Sequence, residues 1–167
     1  AYGETADPAR PNSPTGPLVF VVDITARITG DELTPSTKDA TVDSAAVKKL
    51  SDRGVTVSGD LGAPAAGLAG PQAEEPLQSE VFVIARGKGQ AIKETDTVAV
   101  QMSRTSCDGT TRSSTWEDHA PRAMPAAQIN AAGLPAGSRI VLLAPGNSNG
   151  GKRESAYIFV IDVEKVI

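Results

Sequence analysis

The chain has 167 residues, a formal net charge of -4 and 4 % aromatic residues. That length supplies one core of ordinary size plus an appendage, and three Phe, two Tyr and one Trp leave no broad stacking surface for nucleic acid. Residues 30–80 carry nine acids and four bases, residues 81–167 ten bases and eight acids; the bases are scattered singly, which argues against a nucleic-acid footprint.

In chain order, residues 1–13 are a polar, proline-containing loop, and residues 18–24 (LVFVVDI) are the first strong strand signal. Residues 30–38 have no apolar period and read as linker. Asp43 is placed to cap a short helix through Leu50, with Val47 and Leu50 on one side at i and i+3. Residues 54–59 (GVTVSG) suggest a short strand. Residues 61–72, rich in Ala, Gly and Pro, fit an extended edge segment or a plain loop equally well.

Strand signals become denser from residue 78. Residues 81–84 (VFVI) form one run and 87–89 a turn. Residues 96–102 (DTVAVQM) alternate, with Val98, Val100 and Met102 on one face. Asp108-Gly109 marks a tight turn, after which residues 113–116 return as a strand. Pro121 and Pro125 interrupt regular structure, and residues 128–132 allow one or two helical turns. A strand at 140–143 and a Gly/Asn loop at 145–153 precede the last strand. The expected class is α+β, an antiparallel sheet with one short helical insert.

One segment occurs twice. GPLVFVVDITARI at 16–28 and SAYIFVIDVEKVI at 155–167 align Phe20 with Phe159 and Asp23 with Asp162, 139 residues apart. Each is near-continuously apolar in its middle, which predicts a strand covered on both faces. The repeat suggests two copies of one domain, the first present only as its tail. The resulting expectation is a remnant at 1–29, a linker with a short helix at 30–53 and a complete unit at 54–167. The opening Ala1-Tyr2-Gly3, without Met, fits a processed or excised piece.

DTVAVQM, then DG, SSTW, GSRIVLLAP and YIFVIDV, in that order, resemble the FKBP-type peptidyl-prolyl isomerases, nearest to the tandem exported versions of high-GC Gram-positive bacteria. The resemblance covers about 81–167 and implies an FKBP-like bent antiparallel sheet, a half-barrel, around a short helix. It also implies catalysis without nucleophile, metal or cofactor. An apolar pocket binds the twisted X-Pro amide more tightly than the planar one, against a barrier of ~20 kcal/mol.

At the positions matching that pocket the chain departs from the family. Met102 stands for a Tyr, Arg112-Ser113 for a Phe-Asp pair, Met124 for a Phe, Ile129 and Asn130 for two apolar helix residues, and Asn149 for a late-loop Tyr. Trp116 continues the SSTW motif, Phe159 is kept, and the floor Trp has no counterpart. In the first-copy remnant Tyr2 and Phe20 match pocket residues. Arg and Asn are costly in an apolar pocket unless solvated or paired. The resemblance therefore implies a degenerate copy of weak or lost activity, without catalytic residues, acting as a polypeptide-binding or spacer module for proline-containing or unfolded polypeptide. The alternative is a genuine isomerase, active here or in the missing first copy; a β-rich surface or adhesion domain is the third reading. Strand 18–24 is expected to pair with the missing part of the first domain or with a neighbouring chain. Resemblance to exported members implies an extracytoplasmic place, secreted or in the cell envelope, with room for a lipid anchor through an N-terminal segment the chain lacks.

Cys107 is the sole cysteine and His119 the sole histidine. Neither has the partners of a metal cluster, and Cys107 lacks a base that would make it a nucleophile.

Overall fold

The structure, a computed structural model, describes residues 19–23, 36–70, 73–146, 148–149, 152–153 and 155–167. After a 3-10 turn at Ser36–Asp39 come β1 (Thr41–Val42), α1 (Ser44–Asp52), β2 (Val55–Ser58), β3 (Ala66–Ala69) and β4 (Glu80–Arg86). Next are β5 (Thr97–Ser106), β6 (Arg112–Ser114), β7 (Arg122–Pro125) and a second 3-10 turn at Ala126–Ile129. The chain continues through β8 (Ser138–Ala144), β9 (Ser148–Asn149), β10 (Lys152–Arg153) and β11 (Tyr157–Val166). Among the described residues, seven strands form one antiparallel sheet in the order β1-β4-β8-β11-β5-β6, with β7 also paired to β5. The class is α+β.

Both faces of this sheet are covered, which explains the unbroken apolar run of β11. On one face Ile161 and Val163 of β11 join Val98 and Val100 of β5 and Ile140 of β8. They pack against Ala126, Ile129 and Leu134 in and after the second 3-10 turn. On the other, Ile158 and Val160 join Val141, Leu143 and Ile84 beneath Leu50 of α1, Val55 of β2 and Ala65. Alternate side chains of one strand thus feed two cores.

α1 forms where expected: the Asp43 carboxylate accepts the Ala46 N–H at 3.0 Å, and Gly54, at φ +73°, takes the left-handed position that ends the helix. The helix buries Leu50, whereas Val47 stays 41 % exposed. Of residues 61–72, of which 71–72 lie outside the described residues, Ala66–Ala69 take the extended alternative, since β3 pairs with β2 as a hairpin lying over β11. Gly67 permits that approach; a Cβ there would strike Ile158.

Other local expectations shift. Residues 36–53, read as linker with a helix, pack on the sheet: β1 pairs with β4, and the first 3-10 turn bonds to the end of β11. Two-residue β1 is too short to alternate, and the turn's partners lie more than 100 residues away in sequence. β7 forms between Pro121 and Pro125 because it occupies a margin of the sheet, where a missing N–H is tolerated. The helical turns appear at 126–129 as 3-10 structure, and part of the expected 145–153 loop is the β9–β10 pair.

Residues 19–23, inside the segment expected to be a strand at 18–24, have no strand assignment. Val19, Phe20, Val21 and Val22 are 76–90 % exposed. The rest of the 1–29 remnant, Tyr2 included, lies outside the described residues.

Candidate functional site

Strand register sets the site. Phe159 of β11 is opposite Arg104 of β5, and Arg104 is opposite Ser113 of β6, so the three stand abreast on one face. One step along, Met102 pairs with Ile161 of β11. Above this row the chain leaves β6 through a turn that is pinned from below. Thr115 Oγ1 donates to Gln101 Oε1 at 2.6 Å and accepts the Met102 N–H at 2.8 Å, while the Ala120 N–H reaches Thr115 O at 3.1 Å. His119, at φ +49°, lets the turn close. The turn and the start of β7 complete a cleft of about 210 Å³ by adding Thr115, Asp118 and Arg122 to Met102, Arg104, Ser113, Ser114 and Phe159.

The lining is mostly polar. Met102 and Phe159 are its apolar members, both half-buried and both packed on the core. Arg104 lays its guanidinium 4.7 Å from the Tyr157 ring centroid, and Tyr157 is tilted against Phe159 with centroids 6.2 Å apart. Its Nε is sealed from solvent with no acceptor among the described residues.

Of the residues expected at the site, Met102, Ser113 and Phe159 line this cleft together. Arg112, the first residue of β6, is exposed with its guanidinium 3.8 Å from Glu117, outside the lining. Trp116 is half-buried in the adjoining turn and donates its N–H to Ser114 Oγ at 3.3 Å. Met124 packs against the core from β7, and Ile129, 1 % exposed, is part of that core. Asn130 is an exposed left-handed residue closing the 3-10 turn, at φ +53°. Asn149 belongs to β9, Phe20 is in the exposed 19–23 segment, and Tyr2 lies outside the described residues.

Sequence reading passed over Arg104, Thr115, Asp118 and Arg122 as cleft residues and held Ser114 only as part of the SSTW motif. For Arg104 a signal existed: the alternation Val98, Val100, Met102 continues one step further. Asp118 and Arg122 reach the cleft only through the turn, which no local pattern announces.

A larger cavity, about 440 Å³, opens on the opposite face among α1, β1, β2 and β4, with Val42, Val47, Leu50, Val55, Leu61 and Ile84 on its walls. Arg139 borders it, but that guanidinium is already committed to Asp162 and to backbone carbonyls of the β2–β3 connection. Among the described residues no group of three or more His, Cys, Asp or Glu side chains is arranged to hold a metal ion. Cys107 sits at the start of the 107–110 turn, where burial first, then Glu75 and Asp108, push its thiol above the ordinary value.

No protein-family model matches the chain, and no curated protein does. Among solved structures it is similar to the N-terminal domain of FKBP42 from Arabidopsis thaliana, at 12 % identity and a TM-score of 0.44, over 56 % of this chain and 90 % of that one. It is also similar to FkpA from Escherichia coli, at 20 % identity and a TM-score of 0.45, over 74 % of this chain and 56 % of that one. At these values the architecture rests on the strand pairings given above.

Proposed function

We propose that the cleft over β5, β6 and β11 binds extended polypeptide, in an FKBP-like domain whose acceleration of X-Pro isomerisation is weak or lost. The observation that carries this reading is the lining. Met102 and Phe159 offer an apolar patch, but Arg104, Arg122, Asp118 and three hydroxyl side chains surround it. A twisted amide is favoured by removal from water into an apolar enclosure; this wall keeps water and charge at the reacting bond. A half-open groove with one aromatic, one flexible thioether and several hydrogen-bonding groups still suits a peptide segment. The same reading takes residues 18–24 as a strand completed by another sheet, from a first domain or a neighbouring chain, since the side chains of Val19, Phe20, Val21 and Val22 are exposed.

NMR on the whole chain with a short proline peptide tests both halves. Peptide-dependent shifts at Met102, Ser113 and Phe159 without faster cis–trans exchange are expected. Faster exchange that disappears in Met102→Ala would make the cleft a working isomerase site. Absence of shifts there would leave the domain a spacer.

A further inference from the structure

We infer that this cleft selects polypeptide carrying an acidic side chain beside an apolar residue, with Arg104 and Arg122 as the selecting groups; this rests on the polypeptide-binding reading above. The cleft wall holds two cations and one anion, Arg104, Arg122 and Asp118. Neither arginine is within ion-pair distance of Asp118, whereas the neighbouring Arg112 already faces Glu117 at 3.8 Å. Among the described residues the cleft lining thus carries two positive charges against one negative.

Arg104 is also held ready. The Tyr157 ring supports one face of its guanidinium, and Phe159 stands directly across the strand pair. Stacking occupies the face and leaves the in-plane N–H groups for a planar acceptor, the geometry that pairs with a carboxylate through two bonds. The Arg104 Nε is shut away from solvent without an acceptor among the described residues, so an arriving carboxylate meets the outer Nη edge of the guanidinium. Ser113, Ser114 and Thr115 line the same wall, and Met102 and Phe159 provide the apolar contact for the adjacent residue.

The test uses acetylated, amidated peptides that share a Leu-Pro core and differ only in Glu, Gln or Lys before the Leu, so that the sole carboxylate is a side chain. Trp116, the only tryptophan, sits in the turn bordering the cleft and reports binding by fluorescence. The Glu peptide is expected to bind about tenfold more tightly than the Gln peptide, as for one charge-assisted contact, with Lys weakest and the difference shrinking as salt is added. Arg104→Gln and Arg122→Gln should each reduce the Glu preference; Arg122 is exposed, so its replacement leaves the fold intact if Arg104→Gln does not. Equal binding of Glu and Gln peptides, or a preference that survives both substitutions, overturns the selectivity and leaves the cleft standing. Failure of every peptide to bind overturns the polypeptide reading and this inference with it.

Discussion

Arg139 and Arg104 are carried by the same sheet and project to opposite faces, and their surroundings differ in kind. Arg139 is 1 % exposed and heavily engaged. Its Nε and Nη2 hold the Asp162 carboxylate at 2.6 and 2.8 Å; Nη2 also reaches Asp60 O and Ala63 O, and Nη1 reaches Gly59 O. Thr37 Oγ1 adds a bond to Asp162 at 3.1 Å while accepting the Gly62 N–H. Arg104, half-buried, has an aromatic ring beneath it, and its Nε has no acceptor among the described residues. A charge tied by several bonds within the chain holds the fold together; one set on a cleft wall is available to something outside.

The largest test of that contrast is Arg139→Ala. It strands the Asp162 carboxylate in the core and releases the 59–63 turn, so urea denaturation should show a loss of ~3–5 kcal/mol. Replacing both partners by apolar residues of similar volume should restore much of that loss, because the pair's own desolvation is removed too. A single variant as stable as wild type would break the distinction between the two arginines. Thr37→Val is next, at ~1–3 kcal/mol, since it removes a donor from Asp162 and an acceptor from Gly62. Arg104→Gln should change the same denaturation midpoint by less than ~1 kcal/mol, because the lost stacking is partly exposed and no ion pair is broken. A destabilisation as large as that of Arg139→Ala would make Arg104 a structural residue and remove the motive for assigning it a ligand.

How far the sequence shows this contrast depends on whether the cause is local. The alternation in β5, the capping Asp43 and the double-faced apolar run of β11 are all set by neighbours a few residues away, and each was readable. The YIFVIDV motif placed Asp162 on a strand and GSR placed Arg139 at the entry to one, but their pairing needs the β8–β11 register, and the other carbonyls around Arg139 come from residues 59–63. The cleft was legible on its strand side, through Met102, Ser113 and Phe159, and illegible on its turn side, through Asp118 and Arg122. Arg112, adjacent to Ser113, lies outside the lining with its guanidinium 3.8 Å from Glu117, so the sequence match of the Arg112-Ser113 pair to one pocket holds for Ser113 alone.

The smallest effect probes a place where the satisfied face falls short of its own rule. Glu164, 3 % exposed at the end of β11, accepts the Ser36 N–H at 2.6 Å and the Ser36 hydroxyl at 2.9 Å through Oε2, but its Oε1 has no partner among the described residues. Desolvation is the largest influence on its carboxyl and raises the pKa, helped by the nearby Asp162, while the bonds from Ser36 and Thr37 pull it down. With the folded-state pKa above the unfolded one, the native state takes up the proton first as pH falls. Stability contributed by this group is therefore gained as pH drops through the folded value and is complete below the unfolded value. Glu164→Gln keeps an oxygen for Ser36 and removes the buried charge. Its advantage over wild type in urea should be present at pH 7 and shrink on acidification toward the ordinary glutamate range. A difference between the two proteins that stays constant with pH would mean that Glu164 is compensated after all.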